Sequence, residues 1–143
     1  MRTILFRGKT AEGVWLYGDI LRVANEVCIA PLKGVDWFDF IPKRETNIFN
    51  LPSRKFIVNP DSVGQITNQK DKNGTEIYEG DIVEYACTSE KRCLFVVDYN
   101  TDTDMFVVRS IFDNSSSYLY LGTLLTGCIT IVGNTTDNPE LLK

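Results

Sequence analysis

Lys70-Asp71-Lys72-Asn73-Gly74-Thr75-Glu76-Ile77-Tyr78-Glu79-Gly80-Asp81-Ile82-Val83 is the stretch that decides the fold. Its centre is a hairpin turn, because an Asn-Gly pair tolerates the positive φ that tight turns require. Val63-Gly64-Gln65-Ile66 before it reads as one strand and Glu76-Ile77-Tyr78 after it as the return strand. Glu79-Gly80-Asp81 then turns the chain again. Ile82 to Cys87, Cys93 to Tyr99 and Met105 to Phe112 are three further strands with apolar alternation, the last two joined by the polar loop Asn100 to Asp104. Ser115 to Gly127 has room for one helical turn, and Cys128 to Val132 closes the run as a strand. Asn138-Pro139-Glu140-Leu141-Leu142 carries a cap residue, proline at the first helical position and an acid after it, which predicts a short terminal helical turn. Short strands joined by tight turns without a crossover helix are what a small barrel needs to remove its edges. The expected class is therefore mainly β, with an SH3-like small barrel over residues 59–143.

Upstream, Thr3 to Arg7 and Val14 to Tyr17 flank the turn Lys9-Thr10-Ala11-Glu12-Gly13, and Gly18-Asp19 reads as an interruption. Ile20 to Val23 and Val27 to Ala30 flank a second break at Asn25-Glu26. From residue 34 to 58 no clean period emerges, and Pro42 and Pro52 argue against one long helix, so a long excursion with a short helical turn is expected. Asn59-Pro60-Asp61 marks the boundary between a β-rich part, residues 1–58, and the rest.

At 143 residues, 43% hydrophobic and 24% charged, the chain can bury its own core as one domain or as two small subdomains. Met1 to Arg7 is too short an apolar run for a signal peptide, and no window approaches a membrane-spanning helix, so a cytoplasmic protein with no membrane contact is expected. Cys28, Cys87, Cys93 and Cys128 are read as reduced thiols. Zinc fits poorly, since five residues separate the only close pair and the chain has no histidine. The same lack removes the usual base of serine and cysteine triads. Neither the dinucleotide fingerprint nor the P-loop spacing occurs, so no cofactor is expected.

Charge is uneven. Residues 1–70 hold ten Lys/Arg against seven Asp/Glu, and residues 71–143 hold five against twelve. A pI near 4.8 does not suit non-specific binding to phosphate backbones, and a nucleic-acid role would need a local patch in the first half.

Three stretches together resemble the YopX family of phage and prophage proteins. They are Trp15-Leu16-Tyr17-Gly18-Asp19-Ile20; Ser62-Val63-Gly64-Gln65-Ile66-Thr67 running into Lys70 to Val83, with Asn73, Gly74, Ile77, Tyr78, Gly80 and Asp81; and Ile131-Val132-Gly133-Asn134 followed by Asn138 to Leu142. The resemblance implies a β-rich fold whose later part is an SH3-type barrel, in a bacterial host cell, and brings no catalytic residues. The motif residues are read as structural. The sequence departs from the family pattern at Asn68-Gln69, where members commonly have Gly-Leu.

Glu76, Glu79, Asp81 and Glu84 are the densest acidic group, and two converging carboxylates could do acid–base or metal chemistry. Alternation sends Asp81 and Glu84 to opposite faces, so a solvated, pairing-resistant edge is expected instead. Asp98 to Asp104 has oxygen ligands at alternate positions, but Thr103 stands where a calcium loop needs glycine and Arg109 where it needs glutamate. The preferred binding candidate is the aromatic and basic stretch of residues 37–56, with Trp37, Phe40, Lys43, Arg44, Arg54 and Lys55, whose rings can stack and whose cations can reach an acidic partner or phosphates; the bland alternative, to which the balance leans, is that the aromatics fill the core with the cations solvated around them. The expected function is a non-enzymatic accessory module binding a protein or a second copy of itself. Single-stranded nucleic acid at residues 37–56, and an enzyme using residues 76–84, are the alternatives.

Overall fold

The structure is a computed structural model that describes residues 2–23, 25–33, 52–88, 91–112 and 117–142, apart from the side chains of Cys87, Thr88 and Lys91. Trp37, Phe40, Lys43 and Arg44 fall outside the described residues. The strands are β1 (Phe6–Lys9), β2 (Trp15–Val23), β3 (Glu26–Pro31), β4 (Ile57–Val58), β5 (Gly64–Lys70), β6 (Glu76–Tyr78), β7 (Asp81–Thr88), β8 (Lys91–Asn100), β9 (Met105–Ser110), β10 (Leu119–Tyr120) and β11 (Ile129–Asn134). All pair antiparallel, in the orders β4-β3-β2-β1-β5-β6 and β10-β9-β8-β7-β11. Single 3-10 turns at Arg54–Phe56, Pro60–Ser62, Leu121–Thr123, Thr126–Cys128 and Pro139–Leu142 complete the described elements. The fold is mainly β, as the alternation predicts. Among the described residues β7 to β11 form an open five-stranded sheet with β10 and β11 at its edges, while β5 and β6 belong to the six-stranded sheet, so the closed SH3-like barrel expected over residues 59–143 is not observed there.

The chain divides into two compact units, Thr3–Gln65 and Ile66–Lys143 with Met1–Arg2. Asn59-Pro60-Asp61 is a turn inside the first of them, with the Asn59 side chain accepting from Asp61 N.

In the first unit Gly18-Asp19 does not interrupt β2, which runs unbroken for nine residues. Glycine is there for proximity. A Cβ on Gly18 would fall on the carbonyl oxygen of Ala30 and 3.0 Å from Pro31 Cα, on the strand that pairs with it. Only a residue without a side chain lets β3 approach so closely. The sheet curls until Thr10, one residue past β1, bridges Val58 of β4, and Asn59 N donates to Lys9 O. Its concave side buries Val27, Ile29 and Val58 against Phe6, Leu16, Ile20 and Val63. Phe6, Leu16 and Ile20 are even positions of β1 and β2, so the odd positions, Arg7, Lys9, Trp15 and Tyr17, lie on the opposite face.

The second unit is built on Ile77, Val83, Phe95, Val97, Val108, Leu121 and Ile129. Cross-strand register explains the selection: Val83 stands opposite Phe95 and Ile131, and Val97 opposite Val108. Burying each such aliphatic side chain contributes roughly 1.5–3 kcal/mol. The hairpin at residues 70–75 has a second task here. Lys72 N donates to Ile129 O and Ile131 N to Asp71 Oδ2, so the turn covers the outer edge of β11 that would otherwise invite another strand.

A candidate cation–aromatic interface

On the outward side of β1–β2 the register sets Arg7 opposite Tyr17 and Lys9 opposite Trp15, all four on one face. The Arg7 guanidinium carbon lies 4.9 Å from the Trp15 ring centroid and Lys9 Nζ 6.0 Å from it. Both are within reach of the electrostatic attraction between a cation and an indole face. Arg7 is buried at 7% exposure, whereas Tyr17, opposite it on β2, is 46% exposed. The main chain that carries Lys9 is fixed from both directions, its N–H donating to Ser62 Oγ and its carbonyl accepting from Asn59 N. The patch is thus an indole held in place by two cations, on a strand pair that cannot easily shift.

Of the candidates chosen on sequence, Arg54 and Lys55 are exposed on the turn before β4, with Lys55 Nζ 5.1 Å from the Phe56 ring. Phe56 itself is buried with Cys28. Burial, and after it the carboxylate of Glu26, push the Cys28 thiol up from its ordinary value, and Cys28 and Cys93 are free thiols.

The motif residues divide by role. Ile77 and Tyr78 are buried, Gly64 is buried opposite Arg7, and Gly74 and Gly80 take φ of +80° and +90°. Asn73 is exposed in the hairpin turn, and Asp19 is exposed on the outer side of β2. A Cβ on Gly133 would strike the Asn138 side chain, which accepts from Asn134 N, while Asn134 Oδ1 accepts from the Thr136 and Asp137 amides. Trp15, half-buried, and Tyr17, exposed, are motif residues on the same face as Arg7 and Lys9.

Within the acidic group Asp81 departs from the solvated edge that alternation suggests, while Glu76, Glu79 and Glu84 stay partly exposed. Asp81 is buried at 2% exposure with Oδ2 accepting from Tyr78 N at 2.8 Å. It sits at the start of β7 after a tight turn, where the amide of Tyr78 needs an acceptor away from water. Glu76 pairs with Lys70 at 3.6 Å and Glu84 with Arg92 at 3.8 Å, so these carboxylates do not converge. Among the described residues no group of His, Cys, Asp or Glu could hold a metal ion. In the Asp98 to Asp104 segment the oxygens serve the loop itself. Asp98 Oδ2 accepts from Arg109 Nε at 3.1 Å, Asn100 Oδ1 from Asp102 N, and Asp104 Oδ1 from the Tyr99 hydroxyl. Arg109 also lies 5.3 Å from the Tyr118 ring, whose edge meets Tyr120. A hydrogen bond to Tyr120 pushes the Tyr118 hydroxyl up.

Arg7 and Lys9 escaped the sequence reading because the first turn drew attention to its loop residues. Their signal was present: two cations at spacing two before the turn, two aromatic rings at spacing two after it.

The described strands thus form two all-antiparallel sheets, with a cation–aromatic cluster on β1–β2. The model of the YopX protein family matches residues 17–143, and the chain belongs to the YopX family. It is similar in fold to the crystal structure of protein EF1440 from Enterococcus faecalis, with a TM-score of 0.54, 23% identity and coverage of 100% of both chains. No curated protein matches the chain. Among the described residues no helix is long and apolar enough to cross a membrane.

Proposed function

We propose that this YopX-family chain is a non-enzymatic accessory protein of phage or prophage origin, working in the cytoplasm of the bacterial host as a protein-binding or self-associating module. Its contact face is the outer side of β1–β2. The observation that carries this reading is the stack of Arg7 and Lys9 on Trp15 beside the exposed Tyr17 ring. Trp, Tyr and Arg dominate interface energies because they remove much surface from water while freezing few rotamers. An indole already held by its neighbours loses less freedom on binding. The non-enzymatic reading is supported by Glu76, Glu84 and Asp81, which engage Lys70, Arg92 and the Tyr78 amide.

The test is recovery of the tagged chain from lysogenic bacteria beside a Trp15→Ser, Tyr17→Ser variant of unchanged circular dichroism. A protein retained by the parent and lost by the variant is the expected result; identical retention by both contradicts the reading. Single-stranded nucleic acid at residues 37–56 is the second reading, favoured by the exposure of Arg54 and Lys55 and opposed by a net charge of −4. It requires a salt-sensitive mobility shift that disappears when Lys43, Arg44, Arg54 and Lys55 are replaced together.

A further inference from the structure

We propose that Asn73 is a self-modification site, at which the side-chain amide is lost to an aspartyl or isoaspartyl linkage, and that Asp71 is the positioning residue that holds this conversion back in the folded chain. Asn73 is the one asparagine of the sequence followed by glycine. The reaction is internal. The Gly74 amide nitrogen gives its proton to solvent base and attacks Asn73 Cγ. An N–C bond forms, the bond from Cγ to the side-chain nitrogen breaks, and ammonia leaves carrying a proton. Water then opens the cyclic imide at either carbonyl, giving aspartate by one route and, by the other, isoaspartate, whose main chain runs through the former side chain.

Crowding does not restrain this step. Glycine brings no side chain to the attack, a Cβ built on Gly74 would meet nothing within 4 Å, and Asn73 is exposed to water. Hydrogen bonding does restrain it. Gly74 N donates to Asp71 O at 3.0 Å, which engages the attacking nitrogen. Asp71 Oδ1 accepts from Asn73 N at 2.9 Å and from Thr75 N at 3.0 Å, one on each side of the reacting peptide. Asp71 is itself buried at 6% exposure, and its other oxygen accepts from Ile131 N, so the clamp is anchored outside the turn. Ring closure has to rotate the main chain between Asn73 and Thr75 out of that clamp, which confines it to the locally opened turn. Isoaspartate adds a main-chain atom between the two amides that share Oδ1, so the product no longer fits the clamp that covers β11.

Peptide mapping by mass spectrometry, with isoaspartate counted by enzymatic methylation, measures the conversion in mildly alkaline buffer. Asn73 in the folded parent should convert at least about tenfold more slowly than in the same chain held unfolded in urea, a factor equivalent to about 1.4 kcal/mol of opening free energy. Asp71→Ala should recover much of the unfolded rate. Val108→Ala, a core truncation on β9 that lowers stability without touching the turn, should stay close to the parent. Asp71→Asn keeps one acceptor oxygen and should fall between, and it decides against Val108→Ala in the same way where Asp71→Ala does not fold. Equal rates in the folded and unfolded parent overturn the proposal, as does an Asp71-variant rate no higher than that of Val108→Ala, or conversion confined to other asparagines. In the isoaspartyl fraction the Ile131 amide should exchange with solvent faster than in the parent; unchanged exchange there overturns the role given to Asp71.

Discussion

Asp71 Oδ2 lies 3.3 Å from the amide nitrogen of Ile131, sixty residues further along the chain, while Oδ1 of the same carboxylate accepts from the amides of Asn73 and Thr75. One buried side chain therefore shapes the β5–β6 turn and closes the exposed edge of β11. The hairpin motif that decides the fold is a joint between distant strands.

Asp71→Ala should destabilise the chain by about 2–4 kcal/mol, since it leaves three amides short of an acceptor at once. Asp71→Asn keeps one acceptor oxygen and should cost less. Urea unfolding of the three chains, read as midpoints at constant slope, checks the order.

Gly18→Ala should prevent β2 and β3 from pairing and cost more than about 3 kcal/mol, because the new methyl would collide with backbone and not with a movable side-chain end. Gly122→Ala and Gly127→Ala place a methyl in open space and should stay within about 0.5 kcal/mol of the parent. Thermal melts of the three variants separate the cases.

Asn68 holds a φ of +64° in β5, a left-handed conformation that Asn tolerates better than most residues and glycine adopts at still lower cost. Asn68→Gly should therefore be neutral or stabilising by up to about 1 kcal/mol, although it adds glycine to a strand. Gly74→Ala, at φ +80°, should be destabilising by about 1 kcal/mol. Both are read by the same denaturant titration.

Two tyrosines bear on alkaline behaviour. The hydrogen bond to Tyr120 raises the Tyr118 pKa, and partial burial, followed by the Asp104 carboxylate, raises that of Tyr99. Folding therefore favours the protonated phenols. That contribution is fully present below the ordinary tyrosine value of about 10 and is lost as pH rises through the higher folded values. Tyr120→Phe should lower the pH at which Tyr118 ionises, followed by phenolate absorbance.

Much of the second unit was legible in the sequence. Asn73-Gly74 and Gly80 announce turns whatever surrounds them, and the alternation of Val83, Phe95, Val97 and Val108 marks one buried face. Barrel closure was not legible, because it depends on whether β10 and β11 hydrogen-bond to each other, which no local pattern encodes. Gly18 was misread as a break for a related reason: glycine at a turn and glycine under an approaching strand look the same until the neighbouring strand is in place. Asp81 was read as solvated because alternation gives the face of a side chain and not what covers it. The site was legible only in part. Trp15 and Tyr17 stood out only as motif residues and were read as structural, and the cations beside them become visible only when β1 is laid against β2 in register.

The account depends on the outer side of β1–β2 being the surface that is covered when the protein associates. Hydroxyl-radical footprinting at low and high salt measures this side chain by side chain. Trp15 and Tyr17 should lose reactivity in the associated state while Tyr118 and Tyr120 keep theirs. Unchanged reactivity of Trp15 and Tyr17 in a chain that has demonstrably associated would contradict it.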